Sequence, residues 1–383
     1  MRIEEIHLGS PRMKAFAGFP WQLHNGDPCW TPPLRGELLG NPVLGMVGLL
    51  TRSHPYHRHA DVTHFLAWRG KNPVGRVSAA INHRFNEHYG CKTGFFGFFD
   101  VVDDYEVARA LIDKARDWAS QRGASVLRGP GEYSTATHER QGVLVDGYEY
   151  PPTLELTHNP PYYPQFLERY GFTKAKDYYA YMVDQKNPAS GDLGPAAAAV
   201  RKHGNIETRP LILKDLKSEL RLVARIYNEG WSQNWGFLPL TDEEVDLMAR
   251  TLRVVVDPGL VRFAFVRGEP AAVLGAFPDL NVALRPRWQW YGDSDPVRLA
   301  RLFRSRRRIG AVRLMFYGIR PDFRRLGISA ILFDEVLGYG RRKGYRRCDF
   351  SMMLEDNHAI IRLCDLAGAR RYKTWRIYDL PLK

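Results

Sequence analysis

Gly318-Ile-Arg-Pro-Asp-Phe-Arg-Arg-Leu-Gly-Ile-Ser-Ala-Ile-Leu332 joins an apolar stretch, residues 312–319, to a segment of helical spacing, residues 328–342. The first reads as a strand. Pro321 prevents it from continuing, because proline removes the backbone donor that a sheet needs. Gly327 permits close backbone approach to a ligand, and the first turn of the following helix offers N–H groups that lack intrahelical partners. With Arg324 and Arg325 at the same place, the segment aims positive charge and backbone donors at an anion. No Gly-Lys-Ser/Thr follows, so it is not a P-loop, and it is not a Gly-x-Gly-x-x-Gly dinucleotide turn. It reads as a pyrophosphate cradle.

Outward from this segment, one element order can be traced twice. In the first half, residues 64–68 and 73–81 read as paired strands around Arg69-Gly-Lys-Asn72, and residues 95–102 as a third strand. Val107, Leu111, Ala115, Trp118 and Ala119 then recur at helical spacing over 104–122, and Gly123 ends that helix. A short strand at 125–128, a polar loop, a helix over 161–170 and a strand over 177–183 complete the half. In the second half, helices are expected at 216–231 and 242–252, the latter with Thr241 as N-cap and Glu244 closing a capping box. A hairpin follows (262–266 with 271–277), then a strand at 312–319, a helix at 328–342, a strand at 347–353, a helix at 357–367 and a strand at 373–380. Strands paired by hairpins and followed by strand–helix–strand predict an α/β (α+β) fold, a mixed sheet with helices on both faces, made twice. The Pro/Gly/polar run Asp184-Gln-Lys-Asn-Pro-Ala-Ser-Gly-Asp-Leu-Gly-Pro195 reads as the connection, giving domains at 1–184 and 206–383 with a linker at 185–205.

The chain has 383 residues, enough for two or three domains at about 150 residues each. With 44% apolar and 25% charged residues it has the balance of a soluble globular protein rather than a disordered one. Its apolar runs, such as 46–50 and 196–200, fall far short of the ~20 residues of a membrane helix. Met1-Arg-Ile-Glu-Glu5 lacks the apolar core of a secretory signal. Four cysteines without a CxxC pair predict neither a disulfide framework nor a structural metal, and the cytoplasm is the expected location. Of the net charge of +13, residues 298–347 carry fifteen basic against three acidic side chains, so the remainder is nearly neutral. That stretch should face something anionic: cofactor phosphates, a membrane surface or nucleic acid.

The spacing Arg324-x-x-Gly327-x-Ser329, after a strand and before a helix, resembles motif A of the GNAT N-acetyltransferase superfamily, Gln/Arg-x-x-Gly-x-Gly/Ala. Ser329 departs mildly at the last position. Some ~30 residues on, Glu355-Asp-Asn-His-Ala-Ile-Ile-Arg-Leu-Cys-Asp-Leu-Ala-Gly-Ala369 resembles motif B, in which an Asn opens a helix that ends at a Gly. The resemblance implies two tandem GNAT-like domains using acyl-CoA or acetyl-CoA as co-substrate on a primary amine. It places the pyrophosphate on Arg324, Arg325, Leu326, Gly327, Ile328 and Ser329, with Asn357 opening the motif B helix. It also implies that the strand ending at Ile319 splays from its neighbour to accept the pantetheine arm. The tyrosine that usually protonates the departing thiolate would fall at Cys364. A thiol can donate in its place, and a buried core cysteine is the alternative reading. The first half carries a degenerate copy, since Asp103-Asp-Tyr-Glu-Val107 puts acidic residues where the phosphate loop would be and would repel CoA. Its Asn159-Pro-Pro-Tyr-Tyr163 still resembles motif B. Two-domain bacterial acyltransferases share Phe95-Phe-Gly-Phe-Phe99, Asn234-Trp-Gly-Phe237 and Lys373-x-x-Arg-Ile-Tyr378, and bacterial ceramide synthases, which acylate a sphingoid amine, look like relatives.

Other constellations bear on the acceptor. The long polar loop Gly129-Pro-Gly-Glu-Tyr-Ser-Thr-Ala-Thr-His-Glu-Arg-Gln-Gly142 follows a strand end, where α/β folds bind substrates. His138 is a candidate base for the amine, with Glu132 or Glu139 as alternatives or helpers. Trp231-Ser-Gln-Asn-Trp-Gly-Phe-Leu-Pro-Leu240 would line an acceptor cleft or pack in the core. His54-Pro-Tyr-His-Arg-His59 and His64 lack the Cys, Asp or Glu that would complete a metal site, so no metal is expected. Residues 298–309 set six arginines and four apolar residues at helical spacing. Such a helix can lie on an anionic bilayer, here peripherally on the inner membrane, or form a solvated face. No nucleic-acid-binding motif accompanies it, so nucleic acid is the least expected partner. The oligomeric state, chain length and acceptor are left open. A non-catalytic GNAT-fold binding module, or an acetyltransferase of a small polar amine, are the alternative functions.

Overall fold

The computed structural model describes residues 1–133, 140–184, 193–203, 205–253, 255–285 and 294–382. Thirteen strands are found among them: β1 (Arg2–Ile6), β2 (Ala60–Arg69), β3 (Asn72–Asn82), β4 (Thr93–Val101), β5 (Val126–Gly131), β6 (Val143–Asp146), β7 (Thr173–Asp184), β8 (Ile206–Pro210), β9 (Val261–Val266), β10 (Glu269–Pro278), β11 (Ala311–Ile319), β12 (Arg347–Leu354) and β13 (Arg370–Pro381). The chain forms two units. One comprises Met1–Tyr178, Ala283–Arg304 and Lys373–Lys383, the other Tyr179–Val282 and Ser305–Tyr372.

In the first unit β1, β2, β3 and β4 pair antiparallel in that order, and β5 adds parallel to β4 across the Tyr105–Ser120 helix. Residues 378–381 of β13 then pair antiparallel with β5, and residues 374–376 with β6. β3 is buried from Val74 to Asn82 because helices cover both faces. Val77 and Ala79 pack with Leu111 and Ala115 on one side, while Ala80 packs with Phe16 and Phe85 on the other. Helices that were not legible in the periodicity include Met13–Leu23, which holds Pro20 in its interior, and the short Arg35–Leu39 and His83–Tyr89.

The second unit repeats the plan. β8, β9, β10 and β11 pair antiparallel in that order, and β12 adds parallel to β11 across the Ile328–Lys343 helix. The Leu216–Gly230 and Asp242–Leu252 helices cover one face, and the Ile328–Lys343 and His358–Leu366 helices the other. Thr241 and Glu244 close the expected capping box. The expected duplication is thus visible as one strand order, made twice. The segment expected as linker, 185–205, contains the Gly194–His203 helix, which lies in the second unit.

Candidate functional site

In the second unit, β11 and β12 are paired only from Ala311/Arg347 to Leu314/Phe350 among the described residues. Beyond that point β11 continues to Ile319 and β12 to Leu354, so the two strands part. Met315, an extra residue opposite the Gly275–Ala276 step of β10, marks the divergence with a bulge. Trp231 donates its indole N–H to the carbonyl of Tyr317 (2.7 Å), so one acceptor of this strand is already taken from inside the unit.

The loop at the end of β11 has the expected basic and backbone character. Arg320 is buried, paired with Glu229 and bonded to the Pro270 carbonyl (2.7 Å), which fixes the start of the turn. Arg324 is exposed and reaches the Gly230 carbonyl (2.8 Å). Arg325 is exposed with φ of +71°, a conformation that non-glycine residues rarely take. Leu326 is also exposed. Gly327 is the N-cap at φ +75°, and no side chain caps the Ile328–Lys343 helix. The Ser329 hydroxyl is engaged by Tyr317 Oη (2.6 Å), so it does not cap the helix either. Burial pushes the Tyr317 phenol up to about 12, so it stays neutral. A helix start without a capping side chain and two exposed arginines beside it have the charge and the backbone donors that favour an anion. Gly327 also answers to packing: a Cβ there would lie 2.5 Å from Val200 Cγ2 of the Gly194–His203 helix.

The corresponding loop of the first unit is closed from within. Asp104 caps the Tyr105–Ser120 helix, its Oδ1 accepting from the Glu106 N–H (3.0 Å), and its Oδ2 pairs with Arg69 (2.7 Å). The Arg69 hydrogen bond holds the Asp104 carboxyl below its ordinary range. A carboxylate thus occupies the position that an incoming phosphate would need.

The remaining sequence candidates fall in several places. Asn357 caps the His358–Leu366 helix, its side chain accepting from the Ile360 N–H (3.4 Å). Cys364 is 1% exposed in the apolar core with its thiol on Met353 Sδ (3.7 Å), and burial pushes it up to about 12. His138 and Glu139 lie outside the described residues. Glu132 lies in the first unit, bound by Arg140 (3.0 Å). Phe237 and Leu238 of the 231–240 segment are buried, so core packing accounts for them. His64 bonds the Ile6 carbonyl (3.1 Å) and Tyr133 Oη (2.7 Å), and His57 bonds the Leu49 carbonyl (2.8 Å). The arginine-rich helix requires a correction. It spans Asp295–Ser305, and Arg298 is fully buried, donating to the carbonyls of Pro32, Pro33 (2.7 Å) and Leu284 (3.0 Å). Its charge is therefore spent inside the first unit, while Arg304 and the 306–308 arginines are exposed. Among the described residues no helix is long and apolar enough to cross a membrane.

Two copies of this sheet, one opening beside an uncapped basic helix, define a tandem GNAT-fold protein. Solved structures agree on the fold. The tandem GNAT protein from the clavulanic acid biosynthesis pathway matches 100% of this chain and 99% of its own at 15% identity, with a TM-score of 0.57. A GCN5-related N-acetyltransferase from Sphaerobacter thermophilus matches 100% and 96% at 14% identity, with a TM-score of 0.54. No protein-family model matches the chain. The bacterial ceramide synthase of Caulobacter vibrioides is 31% identical over 380 residues, 97% of this chain and 95% of that protein. Protein YghO of Escherichia coli is 30% identical over 381 residues, 97% and 93%. The chain therefore belongs to the family of the bacterial ceramide synthase and YghO, and it is an acyltransferase of tandem GNAT fold.

Proposed function

We propose that the chain is an acyl-CoA-dependent N-acyltransferase and that its acceptor is a long-chain primary amine. The observation that carries the reading is the parting of β11 from β12 beyond Leu314, beside a basic helix start with no capping side chain. There the N–H groups of residues 326–329, with Arg324 and Arg325, hold the pyrophosphate of the co-substrate. The pantetheine arm lies along β11 from Ile319 toward the point of divergence. Asn357 serves by fixing the His358–Leu366 helix. The neutral amine attacks the thioester carbonyl, so a C–N bond forms as the C–S bond breaks. The ammonium proton passes to a base and the CoA thiolate takes up a proton. The acceptor class is supported by the relative named a ceramide synthase, since a ceramide is the amide of a long-chain amino alcohol.

Titration calorimetry with CoA tests the cradle. Replacing Arg324 and Arg325 by Glu leaves the buried packing untouched and removes two charge-assisted contacts of about 1.5–3 kcal/mol each. A loss of affinity of a hundredfold or more is expected, and unchanged affinity would remove the assignment. Thiol release from long-chain acyl-CoA tests the acceptor. Faster turnover with an amino acid or amino sugar than with a long-chain amine would overturn that half of the proposal.

A further inference from the structure

We infer that the first unit carries a binding site for the ammonium group of an amine, in the pocket where Arg140 is shared by Glu37, Glu132 and Glu155. The identity of the amine rests on the N-acyltransferase reading, whereas the charge of the pocket stands by itself.

The pocket opens beside Phe98, where β4 leaves β5, and its walls include Trp21, Trp30, Glu132, Arg140 and His158. Its volume of about 120 Å³ has room for about four waters, enough for a small polar head group. One guanidinium serves three carboxylates: Arg140 Nη1 is 3.0 Å from Glu132, and its Nη2 is 3.1 Å from Glu37 and 3.3 Å from Glu155. Two further arginines act on them from farther away, Arg298 on Glu37 and Arg76 on Glu132, and each has an acidic partner of its own. Arg76 is held by Asp100 (2.7 Å) and the Phe16 carbonyl (2.9 Å), and Arg298 has Asp295 at 4.0 Å. When all three glutamates are ionised, the carboxylates outnumber the one guanidinium bonded to them by two, at side chains that are 10–32% exposed, so they repel one another in a partly desolvated setting. A bound ammonium supplies a further positive charge.

A second observation points to a ligand. His158 lines the pocket with its side chain 6% exposed; Nε2 faces Asp27 Oδ2 (3.1 Å), but Nδ1 has no partner among the described residues. A hydroxyl beside the amine would satisfy it, which favours an amino alcohol over a plain amine. The backbone is strained around the same pocket: Phe98, Arg140 and Glu155 have φ of +45°, +34° and +57°. Trp21 and Trp30 meet edge to face at 5.6 Å, and their ring faces suit a cation. Burial pushes Glu132 and Glu37 upward while Arg140 pulls them down, so an arriving cation would favour their ionised forms.

The probe is a long-chain 2-amino-1,3-diol in neutral detergent micelles, with its N-acetylated form as control, followed by calorimetry on the full chain. At least tenfold tighter binding of the free amine is expected, with net proton release at pH 6.5 when buffers of different ionisation enthalpy are compared. Glu155→Gln and Glu132→Gln should each weaken amine binding about tenfold while CoA binding is unchanged. Equal binding of the N-acetylated form overturns the proposal, and so does unchanged amine affinity in glutamine variants that retain CoA binding. Should a variant fail to fold, the proton release of the unmodified chain decides alone, and its absence counts against the site. If amine binding depends on the glutamates but no acyl transfer is detected, the proposed function fails and this site stands. If transfer occurs while the glutamates are irrelevant to amine binding, the reverse holds.

Discussion

Replacing Gly327 by Ala separates the two reasons a glycine stands in the phosphate loop. At φ +75° an alanine costs about 1–2 kcal/mol from backbone handedness alone. Its Cβ would also lie 2.5 Å from Val200 Cγ2 and 3.2 Å from Cγ1, an overpacking of about 1–3 kcal/mol because both atoms belong to a short, stiff side chain. The single variant should therefore lose about 2–5 kcal/mol in urea unfolding of the second unit. Val200→Ala alone, at a half-buried position, should lose only about 1 kcal/mol. Combined with Gly327→Ala it removes the clash but not the handedness cost, so the double variant should be more stable than the sum of the singles by about 1–3 kcal/mol. CoA titration then reads the second reason. If the backbone must approach the pyrophosphate, the double variant regains stability without regaining affinity. Additive stabilities would refute the packing argument, and full recovery of CoA affinity would show that Gly327 serves the fold alone.

Three further outcomes are expected. One CoA should bind per chain, because Asp104 already caps the helix start in the first unit; Asp104→Ala should cost about 1 kcal/mol of stability, and a stoichiometry of two in the unmodified chain would contradict the closure. Cys364→Ala should leave turnover within a few-fold and cost about 1–2 kcal/mol of stability, with no step in the pH–rate profile between 7 and 9 that disappears in the variant; a hundredfold loss of turnover in a folded variant would make the thiol the general acid despite its burial. Anionic vesicles should pull the protein down at low salt and neutral ones should not, since each exposed arginine near such a surface adds about 1 kcal/mol; reversing Arg306, Arg307 and Arg308 to Glu should release it, and retention would show that these residues do not carry the contact.

The elements legible in the sequence were those whose signal is local. Thr241 with Glu244, the helix of Val107, Leu111 and Ala115, and the Pro321–Gly327 turn each state their structure within a few residues, and each is found where the pattern put it. The Met13–Leu23 helix escaped because Pro20 breaks the pattern that would announce it, although its first two turns bury Phe16 and Phe19, the former against the sheet. Arg298 misled for the opposite reason: its spacing matched a surface helix, and only the three carbonyls around it reveal a buried charge. Neither the Gly327–Val200 contact nor the sharing of Arg140 can be read from spacing, since the partners lie 127 and up to 103 positions apart in sequence. The acidic residues 103 and 104 show how far a local reading reaches. Their sign alone argued against a phosphate in the first unit, and the structure adds the mechanism, an aspartate that takes the donors a phosphate would use. A phosphate loop closed from within by Asp104, beside a strained, acidic pocket at β4, is the arrangement that the inferred exchange of one ligand class for another would leave.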